Sequence, residues 1–587
     1  MSTLLLVLVS ALAYGFTFPP WSSTAAAWVA LVPFLYVLRN RRPRSGFCIG
    51  LLWGIAANTA IGYWVPSAIA FYYLQSWWFE LLFCLATSLV FWMPYYALFA
   101  ACACWISRRS RGAARVLLIA VLWVACELGR ARLMTGAPWL LLGYALVPHT
   151  TLMQAADLGG PYLLSFIVVL VNASLTEILF SVGEAWHVVT AESVDFLRGD
   201  AAAGAPHQRR GMNSPAEWLK SPLKGTRNSA FALGFSRLGS TEPGNSFPGD
   251  RGGRLASSLS TSSAKAGVHW RSSIVALLPA AIMLIGVYAY GVFRLGSPLP
   301  DNPAVPVTVV QGNNVIGAQW RPGSYGKGLD HYLRMSSDAA EHSRPSVIVW
   351  PEAAVPVFLA REPRYQEQIE RMLGTTGADL ILGAPHYEDP DPARPQYLNS
   401  AFYLTPTGMV GPRYDKAHLM PFAEYFPLRT IELLRRSFEA VRTFTPRDGT
   451  PLLDTKLGKA AVAICFEADF PELVREQMRR GAEVLVNLSN DVWLGPVGQA
   501  QHLAMVTLRA VENHTWVIRA TTTGISAIID PFGRVRARTD TFTEAVLDAR
   551  VVPMQVETAY KRFGDLFACS CVVASAIGMT LVAMRSS

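Results

Sequence analysis

Three residues of different types each close a short apolar or aromatic run. Cys465 ends Ala460-Ala-Val-Ala-Ile-Cys465, Glu352 follows Trp350-Pro351, and Lys416 follows Tyr414-Asp415. A thiol with a pKa near ~8.5 is only a few per cent thiolate at neutral pH, so a nucleophilic cysteine needs a base to take its proton or a cation to hold its anion. A carboxylate supplies the first, and an ammonium supplies the second or steadies the oxyanion of a tetrahedral intermediate. Together they suffice for two-step acyl transfer through a thioester. Each alone reads as ordinary: a cysteine in an apolar run is usually inert core, and the two charges would pass for loop residues.

The flanking residues change that reading. Val347-Ile-Val-Trp-Pro-Glu352-Ala, Arg413-Tyr-Asp-Lys416-Ala-His-Leu-Met-Pro-Phe-Ala-Glu424-Tyr-Phe-Pro, Ile464-Cys465-Phe-Glu467-Ala-Asp-Phe-Pro and Val486-Asn-Leu-Ser-Asn-Asp-Val-Trp493 occur in this order. As a set they resemble the nitrilase (carbon-nitrogen hydrolase) superfamily. The resemblance implies Glu352 as general base, Lys416 as oxyanion-stabilising cation and Cys465 as nucleophile. Any one segment would be a weak signal; the four in order are specific.

The elements that must position these residues lie within 301–556, which has ordinary charge density. Apolar or β-branched runs at 305–311, 346–350, 379–384, 400–405, 460–464, 483–488, 516–521 and 525–530 predict strands. Stretches at 328–342, 362–374, 428–441, 470–481 and 499–513 predict helices between them. Glu352 and Cys465 then fall just past strand ends, where α/β folds place ligands. Periodicity alone supports an α/β domain; the resemblance implies an αββα sandwich.

The rest of the chain is membrane-like. Over 587 residues, 51% are hydrophobic, and they concentrate in 1–182, 273–294 and 566–584. A span needs about 20 apolar residues. Eight candidates are 3–18, 24–38, 46–65, 77–106, 115–129, 161–182, 273–294 and 566–584, giving a multi-pass helical bundle beside the α/β domain. The first is read as an uncleaved span, because Met1-Ser-Thr lacks a basic stretch and Phe18-Pro-Pro-Trp21 is no small-residue cleavage site. Arginines cluster at Arg39–Arg44 and Arg108–Arg111, while the 66–75 loop is uncharged. The positive-inside rule then places the N-terminus in the cytoplasm and 301–556 on the outer, periplasmic side. Arg130 and Arg132, after the fifth span on the outward side, oppose this assignment.

Residues 183–272 are rich in Gly, Ser, Arg and Pro and poor in aliphatics, which predicts a disordered cytoplasmic insert. Its basic excess suits anionic lipid. The net charge of +9 reflects such loops, and no nucleic-acid partner is expected.

Of eight cysteines, only Cys465 falls in the 301–556 domain. Without a pairing partner there, a thiol in an oxidising compartment is not structural. Cys102-Ala-Cys104 and Cys569-Ser-Cys571 lack metal-site spacing and polar setting, so no metal or cofactor is expected. A Cys–His pair drawing on His386, His418, His502 or His514 is the competing mechanism.

A nitrilase-like domain held between the last two of about eight spans resembles the apolipoprotein N-acyltransferase family. Gln311-Gly-Asn, Asn399-Ser, Arg509-Ala-Val-Glu-Asn, Arg519-Ala-Thr-Thr-Thr-Gly, Gly136-Ala-Pro-Trp139 and Asp157-Leu-Gly-Gly-Pro also match. The resemblance implies that an acyl chain passes from a phospholipid, typically phosphatidylethanolamine, to Cys465 as a thioester. It then passes to the α-amino group of a diacylglyceryl-cysteine on an apolipoprotein. It also implies supporting roles for Glu424, Glu467 and Asn399, and tryptophans near the site mouth at Trp320 and Trp493. Two features depart from the family: Phe466 stands where tyrosine is common, and the insert has no counterpart. The alternatives are a membrane-tethered amidase or nitrilase acting on a small molecule, and a non-catalytic lipid-binding scaffold.

Overall fold

The computed structural model describes residues 2–68, 77–134, 136–203, 275–314, 325–389, 395–409, 411–425, 444–447, 449 and 451–585. The chain divides into two compact units, one of Met1–Ile178 with Ser273–Ser587 and one of Leu179–Ser272.

Apolar helices occupy all eight expected positions, but they are not alike. Pro43–Gly62, Gly112–Arg132, Ala156–Val182, Val275–Leu295 and Leu566–Met584 are long and apolar enough to cross a bilayer. Leu81–Phe91 and Met93–Ser107 form a sixth, bent by 45°; Pro94 in the first turn after the break lacks the N–H that would continue the ladder. Thr3–Gly15, with 13 residues, rises only about 20 Å, and Thr24–Leu38 is similarly short. The count of eight is thus approximate. The helix Ala156–Ala203, at the sixth expected position, is broken where Gly159 and Gly160 leave helical geometry just before Pro161. The helix then continues to Ala203, so the stretch expected to be disordered starts as helix; 183–203 contains no proline and several good helix formers. Residues 204–272 lie outside the described residues.

Aromatic rings pack the middle of the bundle. Tyr14, Trp53 and Trp123 are fully buried, with Phe34 stacked on Trp53 at 4.7 Å and Phe99 edge-on to Trp123 at 4.9 Å.

The α/β domain has strands β1 (Val305–Gln311), β2 (Val347–Val349), β3 (Asp379–Glu388), β4 (Gln396–Thr405), β5 (Gly408–Met409), β6 (Tyr414–Asp415), β7 (Leu453–Thr455), β8 (Gly458–Ile464), β9 (Val484–Ser489), β10 (Val517–Thr521), β11 (Ala527–Ile529), β12 (Val535–Arg538) and β13 (Ala545–Val551). One sheet runs β13-β1-β2-β3-β4-β5, with β6 also on β4; the other runs β12-β11-β10-β9-β8-β7. Alternation along β2 shows why they layer. Val347 and Val349 join Val462, Ile464, Val486 and Leu488 in a core between the sheets. Ile348 and Trp350 face outward, onto helices Tyr325–Ser343 and Pro363–Thr376. Helices Pro471–Arg479 and Gly495–Asn513 cover the second sheet from its outer side. This is the αββα sandwich.

β1, β2 and β3 are parallel, as are β8, β9 and β10. Glu352, Lys416 and Cys465 therefore each leave the carboxyl end of a strand, β2, β6 and β8 respectively.

Candidate active site

The elbow at Cys465 is a conformationally constrained turn. Cys465 takes a left-handed φ of +52° between β8 and a short 3-10 turn, Cys465–Asp469. For a residue with a Cβ this costs about 1–3 kcal/mol, which the surrounding fold must offset. Register places its neighbour: Ile464 pairs with Leu488 on β9, so Cys465 stands level with Ser489. Cys465 is buried, with 7% of its surface exposed.

Glu352 is fixed from three sides. Asn399 Nδ2 donates to its Oε1 at 2.7 Å, and the Asn490 N–H donates to its Oε2 at 2.8 Å. Behind it, Gly383 on β3 is needed for close approach, because a Cβ there would lie 2.6 Å from the Glu352 Cα.

Lys416 is buried, with its Nζ 2.9 Å from Glu424 and 3.7 Å from Glu352. Asn399 also donates to Glu424 Oε1 at 2.9 Å, so one amide bridges both carboxylates. The Met420 N–H donates to the other Glu424 oxygen at 2.8 Å.

Glu467 is fully buried and serves as a brace. It accepts from Ile464 N–H at 2.8 Å beside the elbow, and from Ala417 N–H at 2.6 Å and His418 N–H at 3.0 Å beside Lys416. Tyr414 Oη donates to it at 3.0 Å. One carboxylate thus ties the Cys465 turn to the Lys416 loop.

These contacts set the charges. Burial, and then the Glu352 carboxylate, push the Cys465 thiol well above its ordinary value, with Lys416 opposing. Burial also raises the Glu352 carboxyl, although Lys416 pulls the other way. Burial alone would lower the Lys416 ammonium, but Glu424 and then Glu352 outweigh it and hold it above its usual range. Burial carries the Glu467 carboxyl up to about 7 against Lys416 and its backbone donors. The resting pocket therefore holds a neutral thiol, a fixed cation and a carboxylate made more basic than usual, which is a general-base arrangement rather than a preformed thiolate.

The imidazoles are turned to other partners. His502 Nδ1 is 3.1 Å from Asp491, His418 packs at 4.0 Å on Phe470, His514 Nδ1 lies 3.0 Å from the Pro531 carbonyl, and His386 lies beside Phe402. Among the described residues no group of three or more histidine, cysteine or acidic side chains is placed to hold a metal.

A cleft of about 230 Å³ lies between the helical part and the α/β domain and reaches Phe466, the residue after Cys465. Phe83, Trp92 and Trp139 line it from the helical part, and Phe422, Phe466 and Trp493 from the α/β domain. Phe83 and Phe422 meet edge-on at 5.0 Å across it. Trp493 is half-buried at this site, whereas Trp320 lies outside the described residues. Phe466, the residue after Cys465, packs edge-on against Phe470 at 4.9 Å and lines the cleft with a ring that carries no hydroxyl. No single motif gives the cleft away, because its walls come from segments hundreds of residues apart.

Arg130 and Arg132 also find their places. The Arg130 guanidinium lies 4.2 Å over the Trp92 ring and donates to the Trp139 carbonyl at 3.0 Å. Arg132 pairs with Glu472 at 2.6 Å and with Asp565. Arg130 is thus spent inside the helical part, and Arg132 ties it to the α/β domain through Glu472.

Comparison with known proteins accounts for both halves. Residues 10–174 match the apolipoprotein N-acyltransferase N-terminal domain, and 307–561 match carbon-nitrogen hydrolase. The apolipoprotein N-acyltransferase of Geobacter metallireducens is 32% identical, across 99% of this chain and 96% of its own length. The chain belongs to the apolipoprotein N-acyltransferase family. Another apolipoprotein N-acyltransferase, from Pseudomonas putida, is 29% identical over 82% of this chain and 77% of its own. That of Azotobacter vinelandii is 27% identical over 94% and 90%. The carbon-nitrogen hydrolase match spans Glu352, Lys416 and Cys465, and the N-terminal match spans the cleft residues Phe83, Trp92 and Trp139.

Proposed function

We propose that the protein transfers a fatty acyl chain from a membrane phospholipid, phosphatidylethanolamine in the first instance, to the α-amino group of a diacylglyceryl-cysteine at an apolipoprotein N-terminus. The apolar cleft carries this reading: it runs from lipid-facing helices to Phe466, the residue beside the nucleophile. A small-molecule amidase has no use for such a channel, and a scaffold has no use for a strained thiol beside a buried base and cation.

Glu352 takes the thiol proton as Cys465 Sγ attacks the donor's ester carbonyl. The oxyanion forms against Lys416 Nζ, which Glu424 keeps charged and in place. Collapse breaks the ester C–O bond, and Glu352 returns the proton to the departing oxygen of the lysophospholipid. The acceptor's neutral amine then attacks the thioester and gives a proton to Glu352. Expulsion of the thiolate, reprotonated from Glu352, restores the enzyme and leaves an amide. Both substrates are lipid-anchored, so a bilayer-embedded enzyme receives them by lateral diffusion. With the α/β domain in the periplasm of an inner membrane, both would be met on the face where lipoproteins mature.

The test is transfer in detergent micelles from acyl-labelled phosphatidylethanolamine to a diacylglyceryl-cysteinyl peptide. The reading expects label in an amide that survives hydroxylamine, lost in Glu352→Gln and Cys465→Ala. Release of free fatty acid alone, with no peptide product, would instead describe a hydrolase.

A further inference from the structure

Gln501 is buried on helix Gly495–Asn513 of the α/β domain, yet all of its polar partners are in the membrane part. Its Oε1 accepts from two indoles, Trp64 Nε1 and Trp139 Nε1, each at 3.1 Å. Its Nε2 donates to the Pro19 carbonyl at 3.1 Å and the Ile61 carbonyl at 3.0 Å. A primary amide has two acceptor sites and two donors, and here every one is used. The side chain has a single orientation that satisfies four groups on three membrane segments.

The position of Gln501 is itself fixed. The next residue, His502, is held by Asp491, which also pairs with Arg519 inside the second sheet. Trp139 is a wall of the cleft, and Trp64 backs it at 5.8 Å between ring centroids. From the other side Trp64 rests on Gly498, one turn before Gln501, where a Cβ would come within 3.0 Å of the indole. The plane of the Trp139 ring, and with it the width of the cleft, is therefore referred to the α/β domain through one amide.

We propose that Gln501 is a specificity-determining positioning residue: by fixing the Trp139 wall it sets which acyl chain the cleft accepts from the donor lipid. The role rests on the donor reading above. No other neutral side chain of that length offers both halves of the bonding. Glutamate would keep the two indole bonds but turn an oxygen toward the Pro19 and Ile61 carbonyls; methionine would leave all four partners unsatisfied in a buried place.

The experiment measures thioester formation on the full-length protein in micelles, with phosphatidylethanolamines of graded acyl length, for wild type, Gln501→Met, Gln501→Glu and Gly498→Ala. Melting temperature is followed alongside. Wild type should show a preferred length. Gln501→Met should raise the donor KM about tenfold and flatten that preference, with a maximal rate within about twofold of wild type. Gly498→Ala, which displaces Trp64 from the opposite side, should shift the preference while keeping Gln501 itself. If Gln501→Met does not fold, Gln501→Glu and Gly498→Ala decide the matter by the same two readouts. Folded variants that keep the wild-type KM and length profile, or lose only maximal rate, overturn the role while the donor reading stands. A folded wild type that takes no acyl group from any donor overturns the donor reading, and this role with it.

Discussion

Lys416 Nζ lies 2.9 Å from the Glu424 carboxylate. The same nitrogen is 3.7 Å from Glu352, so the cation's close partner is Glu424 and the basic oxygen of Glu352 stays available. Replacing Glu424 by Gln removes that partner, and Lys416 should turn to Glu352, neutralising the base. We expect thioester formation to fall about 100-fold with little change in donor KM. Single-turnover rates at saturating donor check this; a fall below tenfold would mean that Glu424 does not hold the pair apart.

Glu467 should matter for a different reason. Its carboxylate accepts four hydrogen bonds from the elbow and the Lys416 loop. Gln in its place keeps one acceptor oxygen and turns an NH₂ toward N–H donors. Losing charge-assisted bonds in a buried site costs about 1.5–3 kcal/mol, so Glu467→Gln should lower the melting temperature and slow catalysis together. A variant with wild-type melting behaviour and a slowed reaction would instead make Glu467 a chemical participant.

The pH dependence follows from Glu352. The working form is the carboxylate, and burial raises its pKa above the ordinary carboxylate range. Activity is therefore present above the raised value and lost as pH falls through it, so the acid limb for thioester formation should lie above about 4.5. Rates flat down to pH 4.5 would contradict a Glu352 base.

Phe83 and Phe422 close on each other at 5.0 Å across the cleft. Phe83→Ala opens the helical side without touching the polar site. Donor KM should rise about fivefold through lost apolar contact, about 1 kcal/mol, while the acceptor KM stays put. Equal effects on both substrates would show that the cleft does not serve the donor alone.

Glu352, Lys416 and Cys465 were legible as neighbours because each follows a strand within a local motif. The structure gathers Asn399, from inside β4, and Glu424 and Glu467, from turns, around them. The strands missed by periodicity, β5, β6, β7, β12 and β13, are very short or carry polar residues on an exposed face, as Val535–Arg538 does. Arg130 and Arg132 looked like loop charges because their partners, Trp92, Glu472 and Asp565, lie far away in sequence. Gln501 gave no signal at all, since nothing local distinguishes a glutamine that bonds four distant groups from one facing solvent. Tertiary partners, not local pattern, carry that information.

The central claim is a phospholipid-derived thioester on Cys465. It is tested most directly by intact-protein mass spectrometry of the purified protein after incubation with phospholipid, comparing wild type with Cys465→Ala. Wild type should gain a fatty-acyl mass that hydroxylamine removes, and Cys465→Ala should gain none. A folded wild type that gains no acyl mass, or a Cys465→Ala protein that gains the same labile adduct, would contradict it.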